Sequence, residues 1–298
     1  MKWTPGTEND DVVDQRGSSG GGGGGGGFGA AHLTGGGLAV AVVVVVVARL
    51  FGVDVSGLLH GGSSGAPVSS PRHDDRPHPP AGPDPDKPLV DFVKFVMKDV
   101  QGTFESRFKA AGRPYRHAKL VLFTEVVDTG CGRSSKAIGP FYCPADEHAY
   151  IDLSFYRELR QRFGAPGDFA QAYVLAHEMG HHLQKLLGVE QHAQALGRGH
   201  NRNEVSVRTE LQADCFAGVW GHDARGKNLL EAGDLEEAIT AATAIGDDRL
   251  QKQAGRDVNP ETFTHGTSAQ RVRWFRRGFD TGKFDACDTF ETHSSRDL

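Results

Sequence analysis

The chain has 298 residues, room for one large domain or two small ones, and 38% of them are hydrophobic. Its 33 Lys and Arg against 38 Asp and Glu leave a net charge of −5 and a pI near 6.3, with no long basic run, so a nucleic-acid partner is not expected. The 40 glycines and 14 prolines concentrate towards the N-terminus, so part of the length is not expected to fold.

Composition divides the chain. Residues 1–32 are polar and then Gly-rich, with Gly20–Gly27 unbroken, the pattern of a flexible tail. Residues 33–53 hold the apolar run LTGGGLAVAVVVVVVA, closed by Arg49. No Asp, Glu, Lys or Arg lies between Arg16 and Arg49, so the run reaches the roughly 20 residues a bilayer requires. Its valines are poor helix formers in water, but lipid forces a backbone to satisfy its own hydrogen bonds. A cleaved signal peptide opens with a short basic region, whereas the 32 residues here are long and rather acidic. The expectation is a single N-terminal membrane span. Residues 54–88, dominated by Gly, Ser, Pro, His and Asp, read as a disordered linker, and His73 and His78 within it as solvated side chains. Residues 89–290 have globular composition, and 291–298 are expected to be a flexible C-terminus.

Within the globular part, residues 91–112 have helical periodicity ending at Gly112, and residues 119–123 (KLVLF) read as a buried strand. Residues 149–155 alternate Tyr150 and Asp152 against Ile151 and Leu153, as a half-exposed strand does. A helix follows from Asp168, a candidate N-cap, to Gly188, with Lys185 in its last turn. Phe169, Ala172, Ala176, Gly180, Leu183 and Leu187 form one stripe, widened by Leu175, Met179 and Leu186, so this helix is mostly buried. Further helices are expected near 203–221, 234–246 and 268–278, the last opened by a capping box, Thr267-Ser-Ala-Gln270. The fold class is α+β: a mostly helical domain with a small sheet.

Buried polar side chains are costly unless something satisfies them, and the buried helix carries His177-Glu178-x-x-His181. Histidines four apart lie on neighbouring turns of one helix face, so both imidazoles can reach one zinc ion, while Glu178, rotated by about a quarter-turn, can serve a water molecule there. Without a metal, the two would be core histidines donating to carbonyls. The metzincin pattern needs Gly and His where the chain has Gln184 and Leu187, which excludes that class. Downstream, Glu210 and Asp214 share a helix face in an apolar setting of Leu211, Phe216 and Val219. Like charges four apart destabilise a helix without a compensating partner. Glu210 is the expected third ligand, against His192, His200 or Asp214, and Asp214 is expected to orient a ligand imidazole.

The cysteines form no CxxC pair, which argues against a zinc ribbon. Cys131 and Cys143 flank a turn and can meet locally, leaving Cys215 with Cys287. Two disulfides imply an oxidising compartment, and four unpaired thiols a cytoplasmic one. Poly-Gly at 20–27 lacks the phosphate-loop pattern, and no GxSxG elbow occurs.

The chain resembles the bacterial putative neutral zinc metallopeptidases, single-pass proteins of the gluzincin type. The resemblance rests on the initial MKW, the poly-Gly and apolar tract ending in LFGVD, GPFYCPAD (139–146), LSFYRELRQRFGAPGDFAQAYVLAHEMGHHLQ (153–184), RTELQADCFAGVWGHDA (208–224) and HGTSAQRVRWFRRGFDTG (265–282). It covers nearly the whole chain except the linker. It implies a membrane-anchored zinc peptidase with a zincin-like domain acting on peptides or proteins, and adds little on specificity; the two expected disulfides place that domain outside the cytoplasm. In that reading Zn2+ is held by His177, His181 and Glu210, and Glu178 is the general base. A catalytically silent zinc-binding scaffold at the membrane is the alternative. His265, placed after FT and before a capped helix, is the candidate oxyanion donor. Tyr150 is its rival, and a loop histidine that only orders its turn is the blander reading.

Overall fold

The computed structural model describes residues 1–17, 83–189, 191, 193, 202–291 and 298. In chain order these form β1 (Val12–Asp14), α1 (Lys87–Ala110), β2 (Lys119–Phe123), β3 (Val126–Thr129), β4 (Gly132–Ser135), β5 (Phe141–Cys143), β6 (His148–Asp152), α2 (Ser154–Gln161), α3 (Asp168–Leu187), α4 (Arg202–Gly226), α5 (Asp234–Ala244), α6 (Asp247–Gln253) and α7 (Ser268–Thr281). The architecture is α+β, mostly helical with a small sheet, as the sequence predicts.

The apolar run KLVLF has no polar face, as a strand covered on both sides requires. β2 accordingly lies inside a sheet ordered β1-β2-β6-β5, parallel to β1 and β6, with β5 antiparallel at the edge. Leu120 and Leu122 face the main core with Ala149 and Ile151, while Val121, Phe123 and Tyr150 face a second cluster with Val127 and Cys143. The half-exposed strand expected at 149–155 is therefore buried on both faces: Tyr150 is 5% and Asp152 7% exposed. It also ends early. Asp152 accepts from the Ser154 and Glu125 backbone N–H groups at 2.8 and 2.9 Å, which turns the chain into α2.

α3 is buried along most of its length, and Gly188 ends it in the left-handed region at φ 76°. Its start differs from expectation. Gly167, at φ 113°, is the cap position, and Asp168 is the first helical residue. The Phe169 N–H is instead taken by Glu237 of α5 at 3.0 Å. α4 and α7 pack at van der Waals limits. A Cβ added at Gly218 would lie 2.0 Å from the Phe275 oxygen, and one at Gly278 2.0 Å from the Cys215 oxygen. α7 opens with the expected capping box of Thr267 and Gln270. Both expected disulfides are present. Cys131–Cys143 spans 12 residues, and Cys215–Cys287 ties α4 to a C-terminal turn across 72. On the chain-entropy account such loops stabilise by about 3 and about 4 kcal/mol.

The N-terminal residues correct the expectation of a flexible tail. Met1 is buried, Trp3 packs edge-on against Phe92, and Val12–Asp14 pair with Leu120–Leu122 as β1. Similarly Leu298, expected at a flexible end, is buried and accepts from the Trp274 indole at 3.0 Å. The apolar run at 33–53 and most of the linker lie outside the described residues, as do His73 and His78. Among the described residues, no helix is long and apolar enough to cross a membrane.

Candidate metal centre

His177 and His181 project from one face of α3 towards α4, where Glu210 stands opposite them. One ligand atom from each of the three lies within 4.8 Å of the others. Glu210 Oε2 is 3.2 Å from His177 Nε2, and its Oε1 is 3.6 Å from His181 Nε2. The approach depends on Gly180, the α3 residue between the two histidines in facing α4. A Cβ there would lie 2.8 Å from the Ala213 carbonyl oxygen, so any larger residue would push the carboxylate away from the imidazoles.

Each imidazole is fixed from behind. His177 Nδ1 is 2.8 Å from Asp214 Oδ1 and His181 Nδ1 is 2.9 Å from Gln184 Oε1, so each donates from Nδ1 and turns Nε2 to the centre. Gln184 is itself held, donating to the Thr209 carbonyl at 2.6 Å and to Gln212 at 3.1 Å. Gln212 in turn donates to the Cys287 carbonyl at 3.0 Å. The Cys215–Cys287 disulfide thus anchors the far end of the chain that orients His181. Asp214, fully buried, accepts from Arg271 Nε and Nη2 at 2.8 and 2.9 Å and from the Tyr173 hydroxyl. Burial opposes its charge, but Arg271 and His177 hold the carboxyl down to about 2.

Sequence reasoning missed Arg271, Tyr173, Gln184 and Gln212 as parts of this site. Tyr173 precedes His177 by one i,i+4 step, and Arg271 shares a stripe with Phe275 and Phe279. Those spacings were the available signals.

The three converging donors could hold a cation. Burial disfavours charge on Glu210, yet the flanking imidazoles keep it ionised, well below the usual carboxylate range. His177, although burial works against its charge, is pushed up to about 10 by Asp214 and Glu210. Asp214 and Glu210 thus favour positive charge at His177, which a divalent ion at Nε2 would supply in place of the proton. Two neutral imidazoles and one carboxylate are a donor set that suits zinc with a position left open.

Glu178 is 7% exposed and its carboxyl makes no hydrogen bond among the described residues; burial raises its pKa. His265 is partly buried in the segment before α7. Its Nδ1 is 3.2 Å from Asp247 and 3.0 Å from Thr264 Oγ1. Although burial lowers the imidazole's pKa, Asp247 and Glu210 together raise it. Asp247 Oδ2 accepts the backbone N–H groups of Thr264, His265 and Gly266 at 2.7, 2.6 and 3.1 Å, which fixes this segment. Tyr150, the rival donor, is committed to Asp146 at 2.7 Å and stacked on Phe141. His182 turns away, fully buried between the Arg116 carbonyl at 2.6 Å and the Tyr142 hydroxyl at 2.9 Å. His192 and His200 lie outside the described residues. A second acidic group, Asp168, Asp234 and Glu237, also converges, but the N-terminal ammonium already contacts Asp168 and Asp234.

The family described as "Putative neutral zinc metallopeptidase" matches residues 1–290, and the chain belongs to it. Uncharacterized protein YpfJ of Escherichia coli (strain K12) is 47% identical over 293 residues, covering 97% of this chain and 99% of that protein. Uncharacterized protein Mb2605 of Mycobacterium bovis is 42% identical over 260 residues, covering 82% and 85%. No solved structure matches.

Proposed function

We propose that the protein is a zinc metallopeptidase of the gluzincin type, hydrolysing peptide bonds in peptides or proteins and held at a bilayer through residues 33–53. The observation that carries the reading is the convergence of His177, His181 and Glu210 beside a buried, unbonded Glu178. A purely structural zinc site usually closes with four ligands and needs no base, and this disfavours the silent scaffold.

In this reading His177, His181 and Glu210 hold the zinc. When bound, it supplies a Lewis acid that polarises the scissile carbonyl and acidifies the attacking water. Glu178 takes the water's proton and returns it to the departing amine; burial, by raising its pKa, moves the base towards the neutral range where such transfer is efficient. Asp214 and Gln184 keep both imidazoles in the tautomer that presents Nε2. His265, carrying a proton favoured by Asp247 and Glu210, donates to the developing oxyanion.

Peptide turnover separates the enzyme from the scaffold. Zinc-loaded protein should cleave peptides, chelation should stop cleavage and zinc should restore it; a protein that binds zinc and never cleaves is the scaffold. His265→Ala should retain zinc and thermal stability yet lose about 2.7–4 kcal/mol of transition-state stabilisation, the scale of one oxyanion donor. Unchanged kcat, or unfolding, would assign His265 to structure.

A further inference from the structure

The apolar run at 33–53 raises a question that its two flanks answer. A chain crossing a bilayer once leaves its flanks on opposite sides of about 30 Å of hydrocarbon. Here the flanks are parts of one folded body. β1 lies before the run and β2 after it, yet Val12, Val13 and Asp14 pair in register with Leu120, Val121 and Leu122. The pairing is flanked by hydrogen bonds from the Leu120 N–H to the Asp11 carbonyl at 2.7 Å and from the Gln15 N–H to the Leu122 carbonyl at 2.8 Å.

Side chains add to this. Asp11 accepts from Lys119 at 2.8 Å and from Gln101 at 3.0 Å, and Asn9 donates to the Lys94 carbonyl at 3.1 Å. Trp3 seats on Phe92 of α1, and the Lys2 N–H donates to the Leu229 carbonyl at 2.7 Å, beyond α4. The two stems of the intervening segment are themselves tied. Arg16 Nη2 is 2.6 Å from Asp84 Oδ2, and Asp84 sits three residues before α1. Withdrawing residues 1–17 would leave the backbone of β2 unpaired along one edge beside fully buried Leu120 and Leu122, a heavy cost for interior polar groups.

We infer that residues 1–17 and the domain from residue 83 onward lie on the same side of any membrane the chain meets, so that the apolar run does not carry it through a bilayer a single time. A single-pass arrangement would part β1 from β2. If the run holds the protein at a bilayer, the chain must return to the side it left. With both disulfides formed, that shared side is the oxidising one. The inference concerns topology and holds whether or not the site is catalytic.

The test uses the full chain in intact spheroplasts, with one exposed thiol on each flank: Thr4→Cys before the run and Glu236→Cys on α5, both exposed residues. A membrane-impermeant maleimide should label both without permeabilisation. As a second readout, Glu8→Cys combined with Lys98→Cys should cross-link with a short bismaleimide in native membranes, because Lys98 Nζ lies 3.4 Å from the Glu8 carbonyl. Labelling of one flank with protection of the other, or two reactive thiols that never cross-link, would overturn the inference; protection of both would keep the shared side but move it to the cytoplasm.

Discussion

Arg271→Leu should destabilise the protein by about 3–5 kcal/mol, the cost of leaving one partner of a buried ion pair uncompensated. Arg271 is 2% exposed, and besides Asp214 it reaches the Ile245 carbonyl at 3.2 Å and the Tyr173 hydroxyl at 3.3 Å. Leucine fills part of the volume but leaves the Asp214 carboxylate, 0% exposed, with His177 and Tyr173 as its remaining partners. Urea unfolding measures the loss as a lower midpoint at unchanged slope. The variant Arg271→Leu with Asp214→Leu should lose less than Arg271→Leu alone, because no orphaned charge remains. Equal losses would mean that Arg271 acts through packing and not through Asp214.

Glu210→Ala should nearly abolish zinc binding while the fold persists. Glu210 is the carboxylate facing both Nε2 atoms, and with it goes the negative charge that, together with Asp214, draws a cation to the centre. Two imidazoles alone form an incomplete set for zinc. Elemental analysis of protein purified without chelator should give one zinc per chain for the wild type and close to none for the variant. Stoichiometric zinc in Glu210→Ala would hand the third position to another residue.

What the sequence made legible is what is local. His177 and His181 are one helical step apart and so are Glu210 and Asp214, and each pair announces its shared face through periodicity alone. The buried stripe of α3, the α7 capping box and the short spacing from Cys131 to Cys143 are legible for the same reason. The strand Val12–Asp14 was not. Three residues hold no readable alternation, the poly-Gly tract follows closely, and the partner strand lies more than a hundred residues away. Arg271 was hidden among Arg273, Arg276 and Arg277 on an Arg-rich helix. Only the packing of α7 on α4, permitted by Gly218 and Gly278, selects the one that meets Asp214. Asp168 misled as a cap because the residue that receives the Phe169 N–H, Glu237, comes from α5, a choice made by tertiary structure.

The central claim is that a zinc held by His177, His181 and Glu210 works with Glu178 to hydrolyse peptide bonds. An unbiased peptide-library digest of zinc-loaded wild type and Glu178→Gln, run side by side, tests it most directly. The account predicts peptide-bond cleavage by the wild type and a fall of about 10²–10⁴ in rate for Glu178→Gln, the usual contribution of a general base, with the variant's zinc content unchanged. Cleavage by Glu178→Gln at the wild-type rate, or no cleavage by fully zinc-loaded wild type, would contradict it.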